Sequence, residues 1–389
     1  MVDRKFPLCS ICAKRQSDDT DFVTVRPREC FICQGLTLRI PVIERRVMRQ
    51  VKRYDFRAFS IGMIIPSEVQ EREDKLRSDL QIRGMETIKS QTAKEVSDFV
   101  RKHTGKKVDR MHPELTVLVD IVRDEISASA KSLFVYGKYT KPKGVSQRKE
   151  FCEECSGRGC NNCHGGYSDV PSMEEVIGRR FAKVLHSPRA KFTWIGSEDA
   201  DSLVYPPGRP FVAEIKDPKH RRVPRHFSLV TGKGRAQVTG AKVLRGKPTS
   251  IPPFVFKTRA FIEPLEELDT DRLLKLKKIK GTTVEYRNNK GKTVFKNVYS
   301  ISTEKKGKNI VAEIKLDGGL PVKRLVSGES VSPSLSEISG VSLACRRFDI
   351  LRVWESGPFR FGTRTQPSKP PHSEHKKSFN EEQIRVSSP

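Results

Sequence analysis

No stretch of this 389-residue chain approaches the ~18–20 consecutive apolar residues that a membrane-crossing helix needs. The opening segment, MVDRKFPLCSICAKR, has no apolar run of the kind that directs secretion. The expectation is an intracellular, cytoplasmic chain that makes no membrane contact. Acidic residues are also scarce: Asp and Glu number 47 against 74 Lys and Arg, leaving a formal charge of +27. A field of that sign recruits polyanions, and nucleic acid is the commonest. The plainer reading, a merely basic surface, fits less well because the excess is large and spread along the chain. Apolar content is modest at 36% but sufficient for ordinary cores, and the length suits two or three domains. Intracellular chains seldom use disulfides, so the nine cysteines read as metal ligands.

Eight of those cysteines fall in pairs. Cys9-Ser-Ile-Cys12 and Cys30-Phe-Ile-Cys33 lie 17 residues apart, which is a strong zinc spacing. Each pair sets two thiolates on one side of a turn, and two turns complete the closed four-sulfur site of a structural zinc. A second cluster runs Cys152-Glu-Glu-Cys155-Ser-Gly-Arg-Gly-Cys160-Asn-Asn-Cys163, followed by His164. Its glycines permit the left-handed turns that such loops need. A second zinc is expected here, with His164 a bystander. One pair from each cluster sharing a single ion is the alternative, and spacing does not decide between them. Cys345, alone in the apolar stretch Val341–Cys345, reads as a small buried hydrophobe.

Between the clusters, residues 51–150 read as a mixed α/β unit. Strand-like Tyr54–Pro66, Glu114–Val122 and Ser132–Lys141 flank two helical stretches, around Glu71–Leu80 and over Met85–Gly105. In the second stretch Ile88, Ala93, Val96, Phe99 and Val100 share one face. The chain changes character at Pro171. Ser172 with Glu175 three residues on forms a capping box, and Val176, Ile177, Phe181, Val184 and Leu185 make an apolar side over Ser172–His186. Residues 251–316 alternate strands with lysine-rich links, including a hairpin-type turn at Asn288–Gly291. Arg346–Trp354 reads as a closing strand. Residues 358–389, rich in Pro, Ser and charge, are expected to be disordered.

The helix leads into the most unusual stretch, Lys191–Phe211. A strand ends at Gly196-Ser197, and Glu198, Asp199 and Asp201 follow in an otherwise basic chain. Beyond Arg209 and a further strand comes a basic loop with Arg221, Arg222 and Arg225, suited to gripping phosphates. Taken locally, Asp199 is a loop carboxylate capping a turn.

Several segments together change that reading. LFVYGKYTKPKGVSQ before the second cysteine cluster, SMEEVIGRRF, GSEDADSLVYPPGRPFVAEI and GGLPVKRLVSGE resemble those of the archaeal and eukaryotic tRNA pseudouridine synthases acting on uridines 54 and 55, the tenth family of such enzymes. The resemblance spans about Cys9 to Trp354. It implies a multidomain α+β protein: a zinc module over residues 1–50, a THUMP-like RNA-binding domain over 51–150, the second cysteine cluster over 151–170, and a catalytic domain on a mixed, mainly antiparallel sheet over 171–357. It implies a monomer that acts on tRNA with structural zinc and no catalytic cofactor. Asp199 falls at the essential aspartate, Lys323 at its basic partner and Val322 at the apolar neighbour, while Glu198 and Asp201 are left as orienting groups. Where the family stacks a tyrosine on the target uracil, this chain has Phe256-Lys257-Thr258-Arg259-Ala260-Phe261. Thr258 or Arg259 takes that place, and a guanidinium can stack on a base. Arg209, Arg221, Arg222 and Arg225 are expected to contact the substrate. Two other classes compete. Glu198, Asp199 and Asp201 could bind Mg²⁺ for RNA cleavage, or the chain could be a zinc-ribbon tRNA-binding protein without catalysis.

Overall fold

The computed structural model describes residues 2–361 apart from 17–20, 84, 153, 162, 164, 166 and 289–290. His164, the middle of the Asn288–Gly291 turn and residues 362–389 of the expected tail therefore lie outside the described residues.

The N-terminal unit comprises β1 (Val2–Leu8), α1 (Ser10–Gln16), β2 (Asp21–Thr24), α2 (Leu36–Val51), β3 (Ala58–Ile64), α3 (Ser67–Asp79), α4 (Ile88–Thr104), β4 (Lys107–Val108), β5 (Leu115–Asp120) and β6 (Glu125–Ala130). The order β4-β3-β5-β6 makes a small sheet, parallel except for the β5–β6 hairpin. Helices α2 and α4 cover it. Thr87 caps α4 through its hydroxyl, and Gly105 closes that helix in the left-handed conformation. Ile88, Val96 and Val100 are buried as their spacing predicts. Phe99 instead turns outward and packs on His103.

The expected separation of residues 1–50 from the α/β unit is not observed. Cys9, Cys12, Cys30, Cys33 and Ile32 belong to the same core cluster as Val47, Phe59, Val96 and Val117. The apolar side of α2 has to be covered, and the sheet covers it. A buried ion pair ties this unit together. Arg15 meets Glu73 at 2.7 Å, and Glu73 also accepts from Gln16 and from the Ile88 backbone.

The second unit comprises β7 (Leu133–Lys141), α5 (Met173–Leu185), β8 (Arg189–Trp194), β9 (Val204–Lys216), β10 (Phe227–Thr231), β11 (Gly234–Val243), β12 (Pro248–Ser250), β13 (Phe254–Pro264), α6 (Thr270–Lys275), β14 (Thr282–Arg287), β15 (Thr293–Lys306), β16 (Asn309–Asp317), α7 (Val322–Ser327), β17 (Val331–Ser332), α8 (Leu335–Ser339), β18 (Leu343–Glu355) and β19 (Arg360–Phe361). Among the described residues the main sheet has 11 strands in the order β10-β11-β7-β9-β18-β13-β16-β15-β14-β17, with β8 beside β9. All pairings are antiparallel except β9 with β18, which meet at Val204 and Ile350.

Strand β7 corrects the domain boundary drawn from the sequence. It sits inside this sheet, between β11 and β9, so the second unit starts near Leu133 rather than after the cysteine cluster. Alternation alone cannot say which sheet a strand joins. The capping box of α5 forms as expected: Glu175 N–H donates to Ser172 Oγ and Ser172 N–H to Glu175 Oε2. Met173, Ile177, Phe181 and Leu185 are then buried against β8 and β10. Each large side chain so buried contributes about 1.5–3 kcal/mol.

The two units are joined through the loop after β9. Asp55 N–H donates to Lys219 O at 2.7 Å, Ala130 N–H to Asp217 Oδ1 at 2.6 Å, and Arg221 Nη1 to Lys131 O at 3.1 Å.

Candidate active site

The acidic turn between β8 and β9 is held from beneath by groups that local sequence did not single out. Lys141, at the end of β7, is buried and donates to three backbone carbonyls of the turn: Asp199 O at 3.0 Å, Ala200 O at 2.9 Å and Ser202 O at 2.6 Å. Burial lowers its pKa to about 8, against the pull of Glu198, Asp201 and Asp199. Glu198 points inward. Its carboxylate accepts from Tyr139 Oη and from Gln147 Nε2, and pairs with Arg209 Nη1 at 3.1 Å. Arg209 also donates from Nε to Ile195 O. Only glycine fits at position 196: its φ is +84°, and a Cβ would lie 1.8 Å from the Arg209 guanidinium.

This geometry corrects the expectation for Arg209. The residue is 2% exposed and committed to Glu198, so it braces the turn and does not reach a substrate. Glu198 is fully engaged beneath the turn. With Tyr139, Gln147 and Arg209 around its oxygens, it is not free to join Asp199 in holding Mg²⁺.

With Glu198 turned inward, Asp199 turns outward. Its Oδ2 lies 2.9 Å from Lys323 Nζ, an ion pair without the alignment of a good hydrogen bond. Lys323 comes from the short helix α7, which follows a turn at Gly318 and Gly319. Leu320, Val322, Leu325 and Val326 anchor that helix in the core and fix where Lys323 emerges. Val322, the apolar neighbour named from the sequence, is 4% exposed within that core. The far side of the turn is tied to β18, where Leu203 N–H donates to the buried Asp349 at 3.0 Å. Asp349 in turn holds Arg347, whose guanidinium stacks on Phe261 at 3.6 Å. Cys345 is half-buried near the pair, and burial pushes its thiol up to about 11, so it is a spectator.

The remaining expected residues are placed as follows. Thr258 is fully buried and donates to Asp349 O. Arg259 lies on the opposite side of β13 and donates from Nε and Nη2 to Glu313 at 3.1 and 2.8 Å. Arg221 is half-buried at the junction of the two units, while Arg222 and Arg225 are exposed on its loop. Lys141, Tyr139, Gln147 and Asp349 were missed as site residues. The first three sit in a segment noted as a strand and for its family likeness, and no local spacing marks them as site residues.

Each cysteine cluster assembles on its own, which rules out the shared-ion arrangement. The four sulfurs of Cys9, Cys12, Cys30 and Cys33 lie within 4.8 Å of one another, as do those of Cys152, Cys155, Cys160 and Cys163. Tetrahedral Zn–S bonds of about 2.3 Å place sulfurs about 3.8 Å apart. The Cys9–Cys33, Cys152–Cys160 and Cys155–Cys163 separations are 3.8, 3.9 and 3.7 Å. Both sets therefore fit a metal such as zinc. The second is joined directly to the acidic turn, because Gln147 and Val145, which precede it, bond to Glu198 and Ala200.

Comparison with known proteins accords with this geometry. Residues 43–120 match the family model "Pus10 THUMP domain, archaeal", and residues 134–238 match "Pus10, C-terminal". The chain is 32% identical over 325 residues to the tRNA pseudouridine synthase Pus10 of Nitrosopumilus maritimus, covering 83% of this chain and 84% of that one. It is 32% identical over 353 residues to that of Cenarchaeum symbiosum, covering 89% and 87%. Among solved structures, a Cbf5-Nop10-Gar1 complex aligns over 57% of this chain and 48% of that chain at 12% identity with a TM-score of 0.31.

Proposed function

The chain belongs to the Pus10 family of tRNA pseudouridine synthases, and from that premise we propose that Asp199 is its catalytic aspartate and Lys323 the cation that orients it. The enzyme isomerises uridine in tRNA to pseudouridine. In our reading the target is uridine 54, uridine 55 or both, in the TΨC arm. The uridine leaves its stack, at a cost of a few kcal/mol that contacts elsewhere on the tRNA offset. Asp199 acts at the ribosyl C1′ or the adjacent 2′ position. The N1–C1′ bond breaks, the uracil turns, and C5 bonds to C1′. The C5 proton is lost and N1 gains one, so no redox cofactor takes part.

The observation that carries this assignment is the 2.9 Å pair itself. Both side chains are more than a third exposed, at 49% for Lys323 and 41% for Asp199. Such a pair adds only about 0–1 kcal/mol to stability, so its value lies in aiming the carboxylate. The uracil-stacking role expected of Arg259 has less support, since Glu313 already holds its guanidinium. In the same reading each cysteine set holds one structural Zn²⁺, and the protein works as a cytoplasmic monomer. The test is to incubate the protein with an unmodified tRNA transcript and map pseudouridine by carbodiimide-dependent primer-extension stops. New stops are expected with the wild type and none with Asp199→Ala. Absence of any stop with the wild type would refute the activity.

A further inference from the structure

Strands β18, β13, β16 and β15 lie side by side in the main sheet. Alternation turns one face of them into the core, where Ala260, Ile314 and Val298 are fully buried. The opposite face carries large aromatic side chains. Phe295 and Tyr299, both on β15, are 64% and 42% exposed. Trp354 on β18 is half-buried and lies opposite Val255. Tyr299 and Trp354 bracket Lys315 of β16, whose Nζ is 5.8 and 5.0 Å from their ring centroids. The Arg352 guanidinium is 5.3 Å from the Trp354 ring. The carboxylates of this face are engaged. Asp317 accepts from Tyr299 Oη at 2.8 Å and from Asn297 Nδ2 at 3.0 Å, and Glu313 pairs with Lys257 and Arg259. The same face runs to the acidic turn, because Asp349, opposite Arg259, holds Leu203. At about 3.3 Å per residue, Trp354 lies about 15 Å along β18 from Asp349.

We propose that Phe295, Tyr299 and Trp354 form a stacking platform for unpaired tRNA bases that flank the target uridine. Exposed rings on a sheet face take flat bases of any identity, so the platform holds the RNA without reading its sequence. Charge complementarity selects this occupant. Lys315 and Arg352 stand between and beside the rings, where a polyanion places phosphates and an apolar protein surface would leave two cations desolvated. The inference deepens the activity proposed above and rests on it for the identity of the RNA. The platform includes neither Asp199 nor Lys323. Contacts this far from the reacting atoms are made alike before and after the uridine turns, so they strengthen binding and leave the rate of the bound complex unchanged.

Phe295→Ala and Tyr299→Ala, both at exposed positions, are combined in the full chain, and Tyr299→Phe is made separately. Binding of full-length unmodified tRNA is measured against salt, and single-turnover rate is measured at saturating enzyme. The expected result for the double variant is a Kd raised about ten-fold or more, with salt slope and saturating rate unchanged, since stacking releases no counterions. Tyr299→Phe should bind as the wild type does, because stacking needs the ring and not the hydroxyl. The chain has two tryptophans and Trp194 is buried, so tRNA should quench the fluorescence of Trp354, and the quenching should vanish in Trp354→Phe. An unchanged Kd, a shallower salt slope, a saturating rate that falls with affinity, or quenching that persists in Trp354→Phe would overturn the proposal. An unchanged saturating rate also shows that the double variant folds. A wild type that is quenched by tRNA but makes no pseudouridine would refute the activity and leave the platform standing.

Discussion

Arg15–Glu73 and Lys323–Asp199 are ion pairs of nearly equal length, 2.7 and 2.9 Å, with opposite surroundings. The first is 4% and 1% exposed and accepts further hydrogen bonds from Gln16 and Ile88. The second is 49% and 41% exposed, and its cation is delivered by a helix from far along the chain. Separation does not distinguish them, but burial does. A carboxylate closed in by its own fold can only support that fold, whereas one paired at the surface remains available to a substrate. Within the acidic turn the same division runs between neighbours, with Glu198 fully enclosed and Asp199 open.

Substitution at the buried pair should have the largest effect on stability. Glu73→Ala strands Arg15 in the core and is expected to cost about 3–5 kcal/mol in denaturant unfolding. The rate constant of the molecules that remain folded should be unaltered. A large loss of rate at full stability would erase the contrast. Glu198→Gln keeps the shape but leaves Arg209 without its counter-charge, and about 1–3 kcal/mol should be lost. The turn it anchors carries Asp199, so single-turnover rate should fall as well. Unchanged values of both would show that the Tyr139–Gln147–Arg209 cradle is dispensable.

The third test is a pH dependence. The pKa of Lys141 falls to about 8 in the fold against an ordinary 10.5. Between those values the unfolded chain binds the additional proton, so the Lys141 contribution to stability should rise with pH. Denaturant unfolding of the wild type minus Lys141→Met, measured from pH 7.5 to 10, should show that rise. A decline would mean that Lys141 is not desolvated.

The sequence was most informative where chemistry is encoded in short spacing. Both four-cysteine sets and the capping box at Ser172 follow from a few adjacent residues and appear as expected. Asp199 and Lys323 could be paired only through family likeness, because nothing within either segment refers to the other. The misplacements share one physical cause, namely that partners distant in sequence decide the outcome. β7 alternates like any strand, yet it belongs to the sheet whose β9 offers it a full edge. Arg209 reads as a substrate contact until Glu198 is seen beneath the turn. Trp354 joins Tyr299 on one face only through the pairing of four strands, so no window of sequence contains both.

The central claim is that the Lys323–Asp199 pair serves chemistry rather than folding or RNA affinity. Lys323→Met tests it most directly, by single-turnover pseudouridine formation alongside tRNA Kd on the same preparation. A rate reduced about 10²-fold or more with Kd changed less than about three-fold is the predicted result. Equal, large losses in both, or an unchanged rate, would contradict it.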